Sequence, residues 1–432
     1  FGKFVEIQFN QQNVIVGARI NQYLLEKSRI VLQELDERNY HIFYMMFENF
    51  SPAELAALHL TTYDQYRYLV GRDRCNVNTC FVDHHGEPMH DDKRYATFVE
   101  NMDTLGLGPE FRQQLYRILA AILILGQIKF SATEEGQTCN IDTPQEVGWV
   151  AELLGVSQQG LSDALLFFHI TETTIKNLTE QQAYDNADAL AKQMYGRLFE
   201  LLVEEHINTV ISAPGGAGAK WIGVLDIFGF ESFEKKQPDH SVLTNNKFEQ
   251  LCINLTNEQL QHFFYENQIP KQQELYRSQG LHVDDIEYAD NSACVQLIKG
   301  PIDKSDKKAA KAKNIFSILN GVTKQSQTNR ELMANPRMAD EKFLTEIVAE
   351  FTKGRKKPLG DQEWKTARDD FFGWWPRIDT SKHARDKTDF FVYHYAGKVW
   401  YTTVAAVEKN KDSMAKDLAA VLQASSSAFV VA

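Results

Sequence analysis

Residues 4–9 alternate apolar and polar positions (Phe4-Val5-Glu6-Ile7-Gln8-Phe9), which is the two-residue period of a half-buried strand. A polar turn at 10–13 follows, and 14–25 resumes as a second strand, so the pair predicts a hairpin. Residues 111–125 (FRQQLYRILAAILIL) are apolar almost all round, which predicts a buried helix, shorter than the ~20 residues a membrane span needs. Residues 183–203 are amphipathic. The stretch 212–218 (SAPGGAG) is the clearest linker and places the main domain boundary there. Just beyond it, 221–225 is a short apolar run that predicts a buried strand. Phe248, Leu251, Cys252, Leu255, Leu260 and Phe263 then recur every three or four positions, the pattern of a long amphipathic helix. Pro270 falls inside that pattern. It lacks a backbone donor and clashes with the preceding turn, so the helix is expected to bend there or to stop nearby.

Between the strand and the long helix lies Asp226-Ile227-Phe228-Gly229-Phe230-Glu231. An acid at the carboxyl end of a strand, with a glycine three residues on, suits the sensing of a terminal phosphate. The acid can reach a Mg²⁺ shell, and a glycine N–H can approach an anionic oxygen with no Cβ in the way. Asp-x-x-Gly alone is common, and on local sequence Asp226 and Glu231 read more readily as a strand-end acid and a solvated surface acid. The helix that follows makes the combination specific.

Composition narrows the picture. A chain of 432 residues, 43% of them hydrophobic, is long enough for a large core split between two domains. A net charge of -12 argues against a general nucleic-acid binder. No run of about 18 apolar residues predicts a membrane span, and no signal peptide is visible. The chain opens on Phe1, close to a strand, and reads as a segment of something longer. Five scattered cysteines suit free thiols in a reducing compartment. Cys75, Cys80, His84, His85 and His90 carry zinc-type donors, but at no familiar finger spacing, and a polar surface loop is the plainer reading. Against the acidic whole, residues 301–360 carry a surplus of about six positive charges, with groups at Lys304, Lys307, Lys308, Lys311 and Lys313 and at Lys353, Arg355, Lys356 and Lys357.

Several stretches together resemble the myosin motor domain. Phe1-Gly2-Lys3-Phe4 is similar to the end of switch I, and Asp226–Glu231 to switch II. Tyr23-Leu24-Leu25-Glu26-Lys27-Ser28-Arg29, Glu37-Arg38-Asn39-Tyr40-His41-Ile42-Phe43-Tyr44, Ile118-Leu119-Ala120-Ala121-Ile122-Leu123 and Asp188-Ala189-Leu190-Ala191-Lys192 follow at the family's spacing. Residues 248–264 (FEQLCINLTNEQLQHFF) resemble the relay helix, and His394-Tyr395-Ala396-Gly397-Lys398-Val399 and Glu408-Lys409-Asn410-Lys411-Asp412 close the match. The resemblance implies a mostly helical α/β fold of the P-loop NTPase type, with part of a central mixed sheet. It also implies an upper actin-facing subdomain over 1–218 and a lower one over 219–432.

The resemblance further implies ATP with Mg²⁺ as cofactor and F-actin as partner. By it, Asp226 holds the Mg²⁺ shell through water, Gly229 N–H donates to the γ-phosphate, and Glu231 helps to place the attacking water. Phe1, Gly2, Ile227 and Phe228 would line the same nucleotide. The P-loop and the switch I serines would lie upstream of Phe1, so this polypeptide alone is expected neither to bind ATP well nor to hydrolyse it. Actin contact is expected at Ile315, Phe316, Ile318 and Leu319, at Phe343, and in the basic group Lys353, Arg355, Lys356 and Lys357. The loop 321–337 departs from the family pattern, and about ten extra residues lie between Glu234 and Asn246. Glu172 falls where many relatives carry an acid or a phosphorylatable hydroxyl, which would make actin activation constitutive. The competing expectation is a myosin-like protein that binds actin passively and no longer cycles ATP. A GTPase or kinase-type switch sharing only Asp-x-x-Gly leaves the long helix unexplained.

Overall fold

The computed structural model describes residues 2–33, 37–70, 82, 87–133, 138–169, 175–213, 220–236, 242–244, 246–284, 290–301, 312–327, 329, 331–332, 335–351, 364–365, 372–374, 389–411 and 416–432. The chain divides into two compact units, Phe1–Ile227 with Asp412–Ala432, and Phe228–Lys411.

The first unit opens with the expected hairpin. β1 (Gly2–Phe9) pairs antiparallel with β2 (Ile15–Tyr23), and the register slips between Gln8 and Phe9 as a bulge. Helices α1 (His41–Asn49), α2 (Pro52–Ala57), α3 (Arg67–Val70), α4 (Asp91–Thr104) and α5 (Pro109–Leu125) follow. A two-stranded sheet of β3 (Phe130–Ala132) and β4 (Cys139–Ile141) leads to α6 (Pro144–Leu154) and α7 (Gln158–Leu166). Strands β5 (Phe167–His169) and β6 (Ile175–Asn177) precede α8 (Glu180–Glu200), which continues as a π-helical stretch, Leu201–Ile207, into α9 (Asn208–Ile211).

Local sequence sets these boundaries. Pro109 and Pro144 open their helices in the first turn, where no donor is needed. α8 starts on a capping box in which Thr179 Oγ1 accepts from Gln182 N and Gln182 Oε1 accepts from Thr179 N. α5 is the centre of the core: Leu119, Ala120, Ala121, Ile122 and Leu123 are each at most 1% exposed. Beside it, buried Asp188 accepts from Arg67 Nη2 and Tyr68 Oη, both at 2.6 Å, so its charge is paired and hydrogen-bonded.

β7 (Lys220–Asp226) pairs along its length with β1, which gives the sheet order β2-β1-β7. The contact-based division therefore falls after Ile227, while 214–218 of the glycine-rich stretch lie outside the described residues. Gly223 is demanded by packing, because a Cβ there would lie 2.2 Å from the Phe4 ring. The expectation that this strand is buried is corrected. β7 is an edge strand, and Trp221 (57%), Ile222 (58%), Val224 (48%) and Leu225 (45%) are exposed. Its apolar residues specify a strand, but among the described residues no element covers either face.

The second unit begins with β8 (Glu234–Lys236) paired antiparallel with β9 (Val242–Thr244), so the extra segment after Glu234 includes paired strands; 237–241 lie outside the described residues. α10 (Phe248–Ser278) runs for 31 residues and contains Pro270, which therefore does not end it. α11 (Ser292–Lys299), α12 (Ile315–Ser326) and α13 (Pro336–Phe351) follow. A four-stranded antiparallel sheet joins β10 (Trp364–Lys365), β11 (Phe372–Trp374), β12 (Asp389–His394) and β13 (Gly397–Thr402) in that order. Leu251, Leu297, Ile318, Phe343, Phe390 and Tyr401 meet in the core of this unit. Cys139, Cys252 and Cys294 are free thiols, and no described helix is long and apolar enough to cross a membrane.

The role of α5 gives a direct test. Ile122→Ala is expected to destabilise the first unit by about 2–5 kcal/mol, read from the chemical unfolding midpoint, because the side chain is wholly buried and its cavity cannot refill.

Candidate functional site

The loop 226–231 carries the candidate chemistry, and its two halves belong to different units. In the first unit, Asp226 ends β7 opposite Lys3, and Lys3 Nζ lies 2.8 Å from Asp226 Oδ2. The pair is exposed (46% and 64%), so it contributes at most about 1 kcal/mol and yields readily to another cation. A single accessible carboxylate suits one outer-sphere contact to a hard, hydrated ion such as Mg²⁺, and no more than that. Gly2 begins β1, and a Cβ there would lie 2.7 Å from Ile227 Cγ2. Phe1 lies outside the described residues.

In the second unit, Gly229 is exposed and no described atom lies within 4 Å of where its Cβ would be. Its neighbours are held firmly. Asn257 Nδ2 donates to Phe228 O at 3.1 Å. Asn254, wholly buried on α10, grips residue 231 at both backbone atoms: Glu231 N donates to Asn254 Oδ1 at 2.8 Å, and Asn254 Nδ2 donates to Glu231 O at 2.7 Å. Gln250 Nε2 donates to Glu231 Oε2 at 3.2 Å, while Gln250 Oε1 accepts from Lys247 N at 2.9 Å and caps the helix. Phe233 N donates to Asn246 Oδ1, and Asn246 Nδ2 to Trp400 O on β13. Phe230 packs edge-on against His394 and Tyr395, with ring centroids 5.2 and 5.7 Å away. An exposed glycine is thus flanked by a backbone bolted to a long helix.

One turn further along α10, Glu258 forms a second polar centre. Its Oε1 lies 2.9 Å from His394 Nδ1 and accepts from Tyr395 N at 2.7 Å, and Asn291 Nδ2 donates to its Oε2 and to its backbone oxygen. Cys294 Sγ lies 3.9 Å from His394 Nδ1, and burial pushes its thiol far up. Glu258, Cys294 and His394 bring together donor types that a borderline cation such as zinc accepts. Yet both ring nitrogens of His394 are engaged, Nε2 by Tyr401 Oη at 2.7 Å, and protein donors already satisfy Glu258. The trio is a hydrogen-bonded core and not a metal seat.

The myosin head (motor domain) family model matches residues 1–432, the whole chain. The chain belongs to the myosin motor-domain family. It is 34% identical to Myosin-VIIa of Drosophila melanogaster over 436 residues, and 33% identical to unconventional myosin-VI of Bos taurus and to the Myosin IC heavy chain of Dictyostelium discoideum. Each of these comparisons covers all of this chain but only 17%, 32% and 32% of the relative. Myosin relatives of different classes match almost equally, so identity does not single out a class. The family fold is the mostly helical α/β motor domain expected from the sequence.

In this myosin-family chain the side chains named for actin contact fall in two groups. Ile315, Ile318, Leu319 and Phe343 are at most 3% exposed and pack α12 and α13 into the core, which corrects the expectation that they present an apolar surface. A side chain wholly occupied inside cannot also touch a partner outside. Phe316 is half-buried, and Ser317, Asn320 and Lys324 form the exposed face of α12. Lys353, Arg355, Lys356, Lys357 and Glu172 lie outside the described residues, as do Cys75, Cys80, His84 and His85; His90 precedes α4 with a left-handed backbone. The segment 321–337 is shorter as a loop than expected, because α12 extends to Ser326.

Sequence reasoning assigned no role to Asn254, Glu258 or Tyr401. The signal was there: Asn254 and Glu258 sit among Leu251 and Leu255 on the inward stripe of α10, where an apolar residue is the rule.

Asp340 ties α13 to the turn after β13 by accepting from Ala405 N at 2.8 Å and Val407 N at 3.1 Å. Burial outweighs these bonds and pushes its carboxyl up to about 6. A pKa raised on folding means that the native state binds the extra proton. The stabilisation is full below the ordinary value of 3.8 and is lost as pH rises through about 6. Asp340→Asn is therefore expected to flatten the pH dependence of unfolding between those two values, measured by denaturant titration at a series of pH values.

Proposed function

We propose that this chain is the nucleotide-sensing and actin-facing part of an ATP-hydrolysing cytoskeletal motor, acting in the cytoplasm on F-actin. The observation that carries the reading is the exposed Gly229, with nothing described within 4 Å of where its Cβ would be, two residues before Glu231, whose backbone Asn254 fastens to α10. In this reading 226–231 is switch II and α10 the relay helix. Asp226 meets the Mg²⁺ shell through a water, and ATP supplies the phosphoryl group to be transferred. Gly229 N–H donates to the terminal phosphate, and the Glu231 carboxylate, steadied by Gln250, orients the attacking water. Phe1, Gly2, Ile227 and Phe228 border the nucleotide. A small displacement of Gly229 then moves Glu231, and with it the start of a 31-residue helix.

For actin we propose the exposed face of α12, with Phe316 at its edge, together with the basic group Lys353, Arg355, Lys356 and Lys357 and the acid Glu172. Residues 1–218 and 219–432 are the upper and lower actin-facing subdomains in this reading. Basic side chains speed encounter with an acidic filament and add weak affinity.

Two experiments on the full-length protein test the reading. Gly229→Ala meets no steric conflict within the fold, so it should leave the unfolding midpoint unchanged while lowering ATP turnover at least about 100-fold, the scale of a lost oxyanion donor. Turnover that survives this change overturns the assignment. Replacing Lys353, Arg355, Lys356 and Lys357 by Ala should weaken actin co-sedimentation at low salt and flatten its salt dependence; an unaltered salt curve removes these residues from the interface.

A further inference from the structure

The two buried centres on α10 are one chain of hydrogen bonds. Asn254 Nδ2 donates to Glu231 O at 2.7 Å and also to Tyr401 Oη at 2.7 Å. A carboxamide nitrogen can only donate, so the Tyr401 hydroxyl accepts there. Its own proton is then directed to His394 Nε2, 2.7 Å away. That leaves the ring proton of His394 on Nδ1, facing Glu258 Oε1 at 2.9 Å. Glu258 is fixed in turn by Tyr395 N and by Asn291, the residue that precedes α11. Every group in the series is buried, with Glu258 at 0%, Asn254 at 0%, Tyr401 at 1% and His394 at 5% exposure.

The polarity of the chain runs one way, and it agrees with the way the Asn254 amide faces Glu231. Were the amide turned over, Oδ1 would face the Glu231 carbonyl and Nδ2 its N–H, acceptor on acceptor and donor on donor. The Tyr401 hydroxyl, held as an acceptor by the imidazole behind it, reinforces the orientation that the Glu231 peptide itself requires.

We propose that Tyr401, His394 and Glu258 are positioning residues for the catalytic loop. They fix the Asn254 amide, and through it the peptide of Glu231 next to the phosphate-sensing glycine. None of the three touches the reacting atoms. The proposal rests on the motor reading above, and its test separates the two.

The test uses the full-length protein with Tyr401→Phe, which removes one oxygen and keeps the ring. Val399→Ala is the control, since it trims a buried side chain of the same strand, β13, outside the chain of bonds. Hydrogen exchange of the Glu231 amide is expected to rise about tenfold in Tyr401→Phe and to stay near wild type in the control. The ATP hydrolysis step should slow about tenfold in Tyr401→Phe, with the ATP association rate within about twofold of wild type. Unchanged exchange at Glu231 overturns the proposal, and so does a control that changes it equally. A wild-type protein that fails to hydrolyse ATP refutes the motor reading instead, and the exchange measurement still decides this one.

Discussion

The pairing of one asparagine side chain with one peptide organises the second unit. Asn254 treats the N–H and C=O of residue 231 as a neighbouring strand would, and it does so from inside a helix with no exposure to water. A buried amide with unfilled valences is costly, so this arrangement persists only if every donor and acceptor is matched. The matching requires Tyr401, which requires His394, which requires Glu258. The loop that meets the nucleotide in our reading is thereby continuous with the middle of α10 and with β12 and β13. Stiffness at this point explains how an open glycine could report on a ligand without the loop collapsing onto it.

The two units use charge differently. In the first, Asp188 is neutralised by Arg67 and Tyr68, and Asp91 by Arg38 at 2.5 Å with both side chains almost wholly buried. These pairs join segments that are distant in sequence. In the second unit the buried carboxylates Glu258 and Asp340 are satisfied largely by backbone N–H groups and amides, which orient without adding a countercharge. Asp226 belongs to neither pattern. It stands at a strand end where, among the described residues, an exposed lysine is its ion-pair partner, a contact that another cation can replace.

Much of the fold was legible in the chain. The hairpin at its start, the buried helix at 111–125 and the long helix from Phe248 follow from periodicity, because local geometry fixes which residues can share a face. The family likewise followed from short stretches in register along the whole length. Pro270 was legible only as a disturbance. Its missing donor is a local fact, whereas the continuation of the helix to Ser278 depends on the rest of the helix. The burial of residues expected at the actin surface was not legible for a related reason. Ile315, Ile318 and Leu319 are apolar on a helix near a proposed interface, and periodicity alone does not say whether an apolar stripe faces a partner or the core.

The element types, the acid–glycine–acid loop and its place before a long helix depend on residue identity and near neighbours, and so could be read along the chain. That β7 lies at an edge with its apolar residues exposed, and that α12 turns its apolar face inward, emerged only once the elements were packed together. Only that packing brought together Glu231, Asn254, Glu258, His394 and Tyr401, which are separated by up to 170 positions in the numbering. Hydrogen bonds act over about 3 Å, and nothing in the spacing of residues along a chain records which of them will come that close once the core is packed.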